Sequence, residues 1–240
     1  MSAKRARKSK NFHNNVVQIN NYLPEKQKTV KILPRNRAQE SYMLTLANPK
    51  KDVVFGIGPA GTGKTLIAVL TAIKFFKEGI VDKIIVTRPA VSVDEDLGFL
   101  PGTLEQKMAP WTRPIFDVLR EYFTAKEIES MIAEGVIEIA PLAYMRGRTF
   151  KKAYIIADEM QNSTANQMKM LLTRLGEGSK MAVTGDLNQA DRMSDNGLID
   201  FINQLTRFGN STHLDYVTFD HQDIERHNAV REVLEVYGDE

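Results

Sequence analysis

The feature that most constrains this chain is a glycine-rich octapeptide that lies between two apolar segments. It satisfies the pattern G-x-x-x-x-G-K-[ST] and reads Gly58-Pro59-Ala60-Gly61-Thr62-Gly63-Lys64-Thr65. Glycines at these positions let backbone N–H groups close around phosphates, while Lys64 can reach the β- and γ-phosphates and the Thr65 hydroxyl can ligate Mg²⁺. The octapeptide therefore predicts a site for ATP and Mg²⁺.

The residues on either side of the octapeptide agree with this prediction. Residues 53–57 are Val-Val-Phe-Gly-Ile, which is typical of a fully buried strand, and residues 66–76 form a mostly apolar segment typical of a helix. The motif requires a strand, a loop and a helix in this order. A flexible glycine-rich turn without function is disfavoured, because the four fixed positions seldom coincide by chance at average glycine usage.

The carboxylates that an ATPase needs follow a second apolar segment. Residues 154–157 are Tyr-Ile-Ile-Ala, and Asp158 and Glu159 come directly after them. We predict that Asp158 contacts Mg²⁺ through water and that Glu159 is the general base that activates the attacking water. An ordinary strand end at the surface has the same pattern, so this prediction depends on the phosphate loop upstream.

A third strand-like segment, residues 180–184, leads into Gly-Asp-Leu-Asn-Gln. Ligands gather at the carboxyl ends of parallel strands, so this turn is expected to face the same nucleotide. Thr184, Asp186 and Gln189 are candidates for sensing the γ-phosphate, and Gln189 is included among the catalytic candidates. The alternative is an ordinary turn rich in Gly, Asp and Asn.

Upstream of the loop, Gln39 precedes a predicted helix over residues 40–47. A glutamine in this place can both donate to and accept from the adenine edge, which would favour ATP over GTP, and Tyr42 is a candidate to pack on the base. Two further basic segments, Thr87-Arg88 and Arg146-Gly147-Arg148, could touch nucleic acid or a neighbouring subunit. Either segment could equally be a solvated loop.

Charge and composition narrow the classes of function. Five of the first ten residues are Lys or Arg and none is acidic, and such an arm either adds salt-sensitive affinity for nucleic acid or serves only as a solubilising tail. The 240 residues include no cysteine, which excludes disulfides, zinc-thiolate sites and thiol catalysis. No apolar run of membrane-spanning length occurs, so we expect a cytoplasmic protein without a membrane partner. We predict a flexible basic arm over residues 1–34 and one ATPase domain over residues 35–240.

The alternation of apolar and amphipathic segments predicts an α/β fold, with a mostly parallel sheet of five or six strands and helices on both faces. The predicted strands lie near residues 53–57, 83–87, 136–140, 153–157, 180–184 and 214–219. The predicted helices cover residues 64–77, 112–134, 163–175, 194–205 and 222–237.

With these motifs in place, the chain from about residue 34 to 238 resembles the PhoH-like family of P-loop ATPases, which is related to the first RecA-like lobe of superfamily-one helicases. The resemblance rests on the phosphate loop and on Thr87-Arg88-Pro89, residues 97–102, residues 141–149, residues 158–162, Thr184-Gly185-Asp186 and Arg226-His227. It implies a single RecA-like P-loop NTPase domain that hydrolyses ATP. It also implies action on RNA or single-stranded nucleic acid and assembly into homo-oligomeric rings, expected to be hexamers.

The resemblance gives Arg226 a role. On its own, the segment 222–237 predicts a C-terminal helix with Arg226 on a polar face, where a solvated residue is the usual interpretation. A ring ATPase needs a cation at the γ-phosphate that a neighbouring subunit commonly supplies. Arg226 is the first candidate for this arginine finger and Arg148 is the second.

Three classes of function remain at this point. The leading one is an oligomeric ATPase, acting as a motor or helicase on RNA or another single strand. The second is a ring ATPase that remodels proteins without nucleic acid. The third is a small-molecule kinase, which Glu159 disfavours because a kinase should lack a residue that activates water.

Overall fold

Six parallel strands form one sheet at the centre of the protein. The computed structural model describes residues 29–89, 104–187 and 196–237, except for the side chains of residues 104–110, 231, 234 and 235. The strands pair in the order β3-β2-β4-β5-β1-β6, and each neighbouring pair is parallel. Their bounds are β1 Val53–Ile57, β2 Lys83–Arg88, β3 Ile137–Pro141, β4 Ala153–Ala157, β5 Lys180–Gly185 and β6 Leu214–Thr218. The predicted α/β fold with a RecA-like parallel sheet is therefore confirmed.

Burial explains why the central strands read as continuous apolar runs. Every residue of β1 and β4 is buried, because helices cover both faces of the sheet. The edge strands β3 and β6 are only partly buried and contain polar residues such as Glu138 and Asp215. The apolar runs in the sequence thus report position within the sheet as well as strand structure.

Seven α-helices lie in the described ranges, and six of them cover the sheet. Alternate strand residues face two separate cores: one core receives side chains from α1 to α4, and the other receives side chains from α5 and α6. The helix bounds are α1 Arg37–Ala47, α2 Lys64–Lys77, α3 Leu104–Tyr122, α4 Ala125–Ala133, α5 Ala165–Leu172, α6 Gly197–Phe208 and α7 Asn228–Tyr237. The prediction of helices on both faces is confirmed.

The predicted helix over 112–134 is wrong in one respect, because the chain forms two helices there. Thr124 has extended backbone dihedrals and caps α4: its hydroxyl accepts from the N–H of Glu127, and the Glu127 carboxylate accepts from the N–H of Thr124. This reciprocal capping box satisfies donors that a new helix would otherwise leave unpaired. It favours a helix start at a position where the apolar spacing alone favours continuation.

The two ends of the domain also differ from the predictions. Val30 and Ile32 are partly buried against the core that α1 to α4 share, so packing begins a few residues before the predicted boundary at residue 34. At the other end, residues 221–223 form a short 3-10 helix and α7 begins only at Asn228. The residues between these two helices run past the phosphate loop, which affects the position of Arg226.

Candidate nucleotide-binding site

The three polar segments predicted from sequence meet at the carboxyl ends of β1, β4 and β5. They enclose a cavity of about 270 Å³. Its lining comprises Ala60, Gly61, Gly63, Lys64 and Thr65 from the loop, Leu66 from α2, Asp158 and Glu159 after β4, and Gly185 and Asp186 at the end of β5. The loop at the start of α2 also directs the N-terminus of that helix toward the cavity, which favours an anion.

Lys64 lies within the phosphate loop and is almost fully buried. Its Nζ donates to the carbonyl oxygens of Gly58 and Pro59, both at 2.6 Å, and to the Thr62 hydroxyl at 3.2 Å. Burial lowers the pKa of Lys64, and nearby carboxylates, Asp186 first among them, act in the opposite direction. An ammonium group whose hydrogen bonds, within the described ranges, go to neutral oxygens is well suited to take phosphate oxygens as partners.

Asp158 is held by hydroxyl groups from two other elements. Its Oδ1 accepts a hydrogen bond from the Thr65 hydroxyl at 2.8 Å and a short one from the Thr184 hydroxyl. Thr184 reaches Asp158 because β5 lies between β1 and β4 in the sheet. Thr184 is only 1% exposed, so its hydroxyl supports Asp158 and does not face the cavity as a phosphate sensor.

The oxygen atoms of Thr65 and Asp158 fit Mg²⁺, which prefers oxygen ligands. Within the described ranges, no three His, Asp or Glu side chains form a group able to hold a metal. Proteins usually bind Mg²⁺ through one or two carboxylates together with the phosphates of a substrate.

Glu159 lies at the edge of the cavity in an uncommon backbone conformation. Its φ of 54° and ψ of 38° are in the left-handed region, which a residue with a side chain seldom adopts. Its Oε2 accepts a hydrogen bond from Gln161 Nε2 at 2.5 Å. Gln161, to which the sequence analysis gave no role, is 2% exposed and accepts from the Asp186 N–H at 3.1 Å.

Gln39 lies against the phosphate loop. Its Nε2 donates to the carbonyl of Thr62 at 3.0 Å, and its Oε1 accepts from the N–H of Arg35 at 2.9 Å. The carboxamide therefore braces the loop, and contact with adenine stays a prediction. The proposal that Tyr42 packs on the base is wrong, because Tyr42 is fully buried and contacts the ring of Phe219 edge to face.

Arg226 lies beside the phosphate loop of its own chain. The N–H of Glu225 donates to the carbonyl of Gly61 at 3.0 Å, and a Cβ at Gly61 would lie 3.3 Å from Arg226 Nε. Since α7 begins at Asn228, the prediction that Arg226 sits on a helix is wrong. Its donation to a neighbouring subunit stays a prediction, although the contact with Gly61 favours action within one chain.

The second candidate finger, Arg148, is engaged elsewhere. It forms a two-pronged ion pair with Glu138, with Nη2 and Oε2 2.7 Å apart, and its guanidinium lies over the ring of Phe150. The hydrogen bond from Arg148 lowers the pKa of Glu138. Glu138 is on β3, which β2, β4 and β5 separate from β1, so Arg148 does not reach the phosphate loop of its own chain.

Thr87 and Gln189 are the remaining candidates predicted from the sequence. Thr87 is fully buried and its carbonyl accepts from the Asp158 N–H at 3.0 Å, so its side chain is not available to nucleic acid here. Gln189 lies outside the described residues. Gln161, which bonds to Glu159 and to the Asp186 N–H, was assigned no role of its own from the sequence; the signals were its place two residues after Glu159 and within residues 158–162.

Comparison with known proteins identifies the family. A model of the PhoH-like protein family matches residues 31–238 of this chain. The chain belongs to the PhoH-like family. The family and the geometry of the loop support the P-loop NTPase that was predicted from the sequence.

PhoH-like relatives are similar over most of this chain. A PhoH-like protein of Bacillus subtilis is 46% identical over 205 residues, which are 85% of this chain and 63% of the relative. Protein PhoH of Escherichia coli K12 is 44% identical over 214 residues, which are 88% of this chain and 59% of the relative. The chain thus spans about three-fifths of the length of these curated relatives.

Solved structures give a weaker likeness. The UvsW helicase of bacteriophage T4 matches with a TM-score of 0.47 and 12% identity, over 83% of this chain and 64% of that one. The SWI2/SNF2 ATPase core of Sulfolobus solfataricus, solved with double-stranded DNA, matches with a TM-score of 0.41 and 15% identity, over 82% and 46%. These values support no inference about function.

Within the described ranges, no helix is both long enough and apolar enough to cross a bilayer.

Proposed function

We propose that this protein is an Mg²⁺-dependent ATPase that forms homo-oligomeric rings and acts on RNA or another single-stranded nucleic acid. One observation carries the ATPase proposal: two distant segments, one with Lys64 and Thr65 and the other with Asp158 and Glu159, line one cavity at the carboxyl edge of a parallel sheet. A ligand site is expected at this edge of such a sheet.

Each residue has a role that follows from its chemistry. Lys64 would pair with the β- and γ-phosphate oxygens. The Thr65 hydroxyl, directly, and Asp158, through water, would hold Mg²⁺, which would neutralise phosphate charge. Glu159 accepts a proton from a water molecule as the water oxygen bonds to the γ-phosphorus. The bond between that phosphorus and the β–γ bridging oxygen breaks, which yields ADP and inorganic phosphate.

Exposed side chains at the same edge of the sheet support a nucleic-acid substrate. Arg88 pairs in register with Pro141, and the short helix that starts at Leu142 presents Tyr144, which is 61% exposed. Arg146 follows and is exposed as well. Aromatic side chains that stack on bases, next to cations that meet the phosphate backbone, are the usual features of single-strand binding. The basic residues 4–10 would add affinity.

Ring formation is proposed because of the way in which helicases move nucleic acid. Motors of the helicase type grip a nucleic-acid strand between two RecA-like lobes, and the described residues form the β-sheet of one such lobe. A neighbouring copy would supply the second lobe. On α7, the side chains of Val233 and Tyr237 are 52% and 77% exposed, which supports association through this part of the chain.

Because the chain has no cysteine, we also propose a cytoplasmic location.

The test measures ATP turnover with Mg²⁺, alone and with single strands of RNA and of DNA. Wild-type protein should hydrolyse ATP faster when a strand is present. Lys64→Ala should lose ATP binding, and Glu159→Gln should bind ATP but stop hydrolysis, because the amide cannot accept the proton. Lys74→Ala, on the same helix as Lys64, is the matched control and should behave as wild type.

A substitution at Tyr144 tests whether the protein acts on nucleic acid. Tyr144→Ala should lower the stimulation by a single strand and leave basal turnover unchanged. Phe208→Ala, which removes an aromatic side chain that is 74% exposed on α6, should change neither stimulation nor basal turnover. Turnover that no RNA or DNA alters would contradict the nucleic-acid proposal and favour a protein-remodelling ATPase. Turnover that Lys64→Ala does not reduce would contradict the ATPase site itself.

A further inference from the structure

Gln161 bridges the proposed general base to the turn that follows β5. It belongs to the short 3-10 helix Met160–Asn162, and its side chain is buried at 2% exposure. The Nε2 donates to the Glu159 carboxylate at 2.5 Å, and the Oε1 accepts from the backbone N–H of Asp186 at 3.1 Å. Both Glu159 and Asp186 line the nucleotide cavity, so the bridge joins two of its walls.

The bridge can form in only one orientation of the carboxamide. The carbonyl oxygen must face the Asp186 N–H, and this points the NH₂ group at the Glu159 carboxylate. A flipped amide would place oxygen against carboxylate and nitrogen against N–H, which are repulsive pairs. The contact with Asp186 therefore determines which group Glu159 meets.

The absence of a side chain at Gly185 makes room for this arrangement. A Cβ at Gly185 would lie 2.8 Å from Gln161 Oε1 and 2.5 Å from a methyl group of Leu198. Both distances are too short for real contacts, so the last residue of β5 must be glycine if Gln161 is to stay where it is. The glycine, the carboxamide and the carboxylate thus form one contiguous packed unit.

The backbone conformation of Glu159 must be stabilised by its surroundings, and this packed unit contributes to that stabilisation. A residue with a side chain in the left-handed region costs roughly 1 kcal/mol or more, and it persists only where its surroundings hold it. The Glu159 carbonyl accepts from the N–H of Asn162 at 3.1 Å, and the side chain is held by Gln161. These two bonds fix both the backbone and the carboxylate of the base.

We propose that Gln161 is a positioning residue for hydrolysis, which orients the Glu159 carboxylate and couples it to the turn at Gly185 and Asp186. This inference rests on the proposed ATPase function. Asp186 lies on the wall of the cavity, so a shift of this turn when phosphates bind or leave moves the carboxamide and, with it, the base. Gln161 thereby links occupancy of the cavity to the position of Glu159.

The test uses two substitutions that separate the two halves of the bridge. Gln161→Ala removes both hydrogen bonds, whereas Gln161→Glu keeps the shape and the acceptor for the Asp186 N–H but replaces the donor with a carboxylate. We expect both to lower kcat by about 10- to 100-fold, the size of effect that a misplacement of about 1 Å produces, with KM for ATP and binding of a fluorescent ATP analogue within about threefold of wild type.

A matched pair elsewhere in the chain controls for the loss of a glutamine–carboxylate bond. Gln204 donates to Asp200 at 2.7 Å on the exposed face of α6, so Gln204→Glu makes the same chemical change away from the cavity. This variant should keep wild-type kcat and KM. Thermal unfolding of each variant reports whether the domain remains folded, and the isosteric Gln161→Glu serves if Gln161→Ala does not fold.

The outcomes distinguish this inference from the function on which it rests. If wild-type protein hydrolyses ATP and Gln161→Glu retains wild-type kcat, Gln161 does not position the base and the inference fails alone. An equal loss of kcat and of ATP binding would also overturn it, because a positioning role leaves binding intact. If wild-type protein hydrolyses no ATP, the proposed function fails and this inference fails with it.

Discussion

At Asp158, two hydroxyl groups from different parts of the chain donate to a single carboxylate oxygen. Thr65 comes from the phosphate loop, where the motif requires a hydroxyl for Mg²⁺, whereas Thr184 lies on β5 and is buried beneath the cavity. Only Thr65 lines the cavity. In the proposed ATPase, Thr184 would therefore act on Mg²⁺ through Asp158, since partners of this kind orient the groups that bind a metal.

Replacing Thr184 with valine should weaken the response to Mg²⁺. Valine has nearly the same shape and lacks the donor, so the Asp158 carboxylate loses one of its two hydroxyl partners. We expect the Mg²⁺ concentration at half-maximal turnover to rise by about 10- to 100-fold, measured by ATPase titration. Thr206→Val is the control, since its hydroxyl donates to the carbonyl of Ile202 within α6. An unchanged Mg²⁺ titration for Thr184→Val would remove this residue from the site.

At the scale of elements, helix ends shape the region between β2 and β3. Helices α3 and α4 are separated by Phe123 and Thr124 alone, and both pack on the same side of the sheet as α2. The apolar spacing is compatible with one long helix, and the capping box at Thr124 is what favours two. The resulting bend lets both Leu119 and Ile128 reach the core, where they are 1% and 4% exposed.

Thr124→Ala should destabilise the domain by about 1 kcal/mol, the usual cost of losing a helix N-cap. The N–H of Glu127 loses its acceptor, and Thr124 itself is exposed, so the substitution leaves no cavity in the core. Urea unfolding measures the change. Ser130→Ala removes an exposed hydroxyl inside α4 and should cost less than about 0.5 kcal/mol. Equal stability of the two variants would show that the cap does not hold the break between the helices.

For the whole molecule, the question is whether one chain completes its own catalytic site. Residues 223–226 and the start of α1 flank the phosphate loop: Glu225 and Gln39 bind its carbonyl groups, and Asn36 donates to the carbonyl of Asp223 at 3.1 Å. Arg226 is part of this arrangement, beside Gly61. Its contact with its own loop and its predicted donation to a neighbour lead to different results when subunits are mixed.

Arg226→Ala should lower turnover by about 10³-fold or more while ATP binding persists, the loss expected when a cation at the transferred phosphate is missing. Mixed with Glu159→Gln, it should recover no activity if Arg226 acts on the nucleotide of its own chain, which its position beside Gly61 favours. Recovered activity in the mixture would show that the arginine acts across an interface. The control mixture combines wild-type protein with Glu159→Gln.

The elements whose signals are contiguous could be predicted from the amino-acid sequence alone. An octapeptide specifies the phosphate loop because its glycines, lysine and threonine act through local backbone geometry. Buried central strands can be recognised in the sequence as continuous apolar runs. The family, the parallel sheet and the group formed by Lys64, Thr65, Asp158 and Glu159 could all be predicted in this way. Each depends on residues that are neighbours in the chain or on the rule that ligands meet the carboxyl ends of strands.

Which distant side chains come into contact depends on the three-dimensional packing of the chain. Tyr42 and Thr87 have polar groups that suit a ligand, yet strand and helix packing places both inside the protein. Gln161 gains its role from the pairing of β4 with β5, which brings Asp186 to its carbonyl oxygen. Arg226 reaches Gly61 because β6 pairs with β1 and the chain then passes the loop before α7 begins. These contacts depend on strand order and on where helices end, and no pattern of neighbouring residues encodes either.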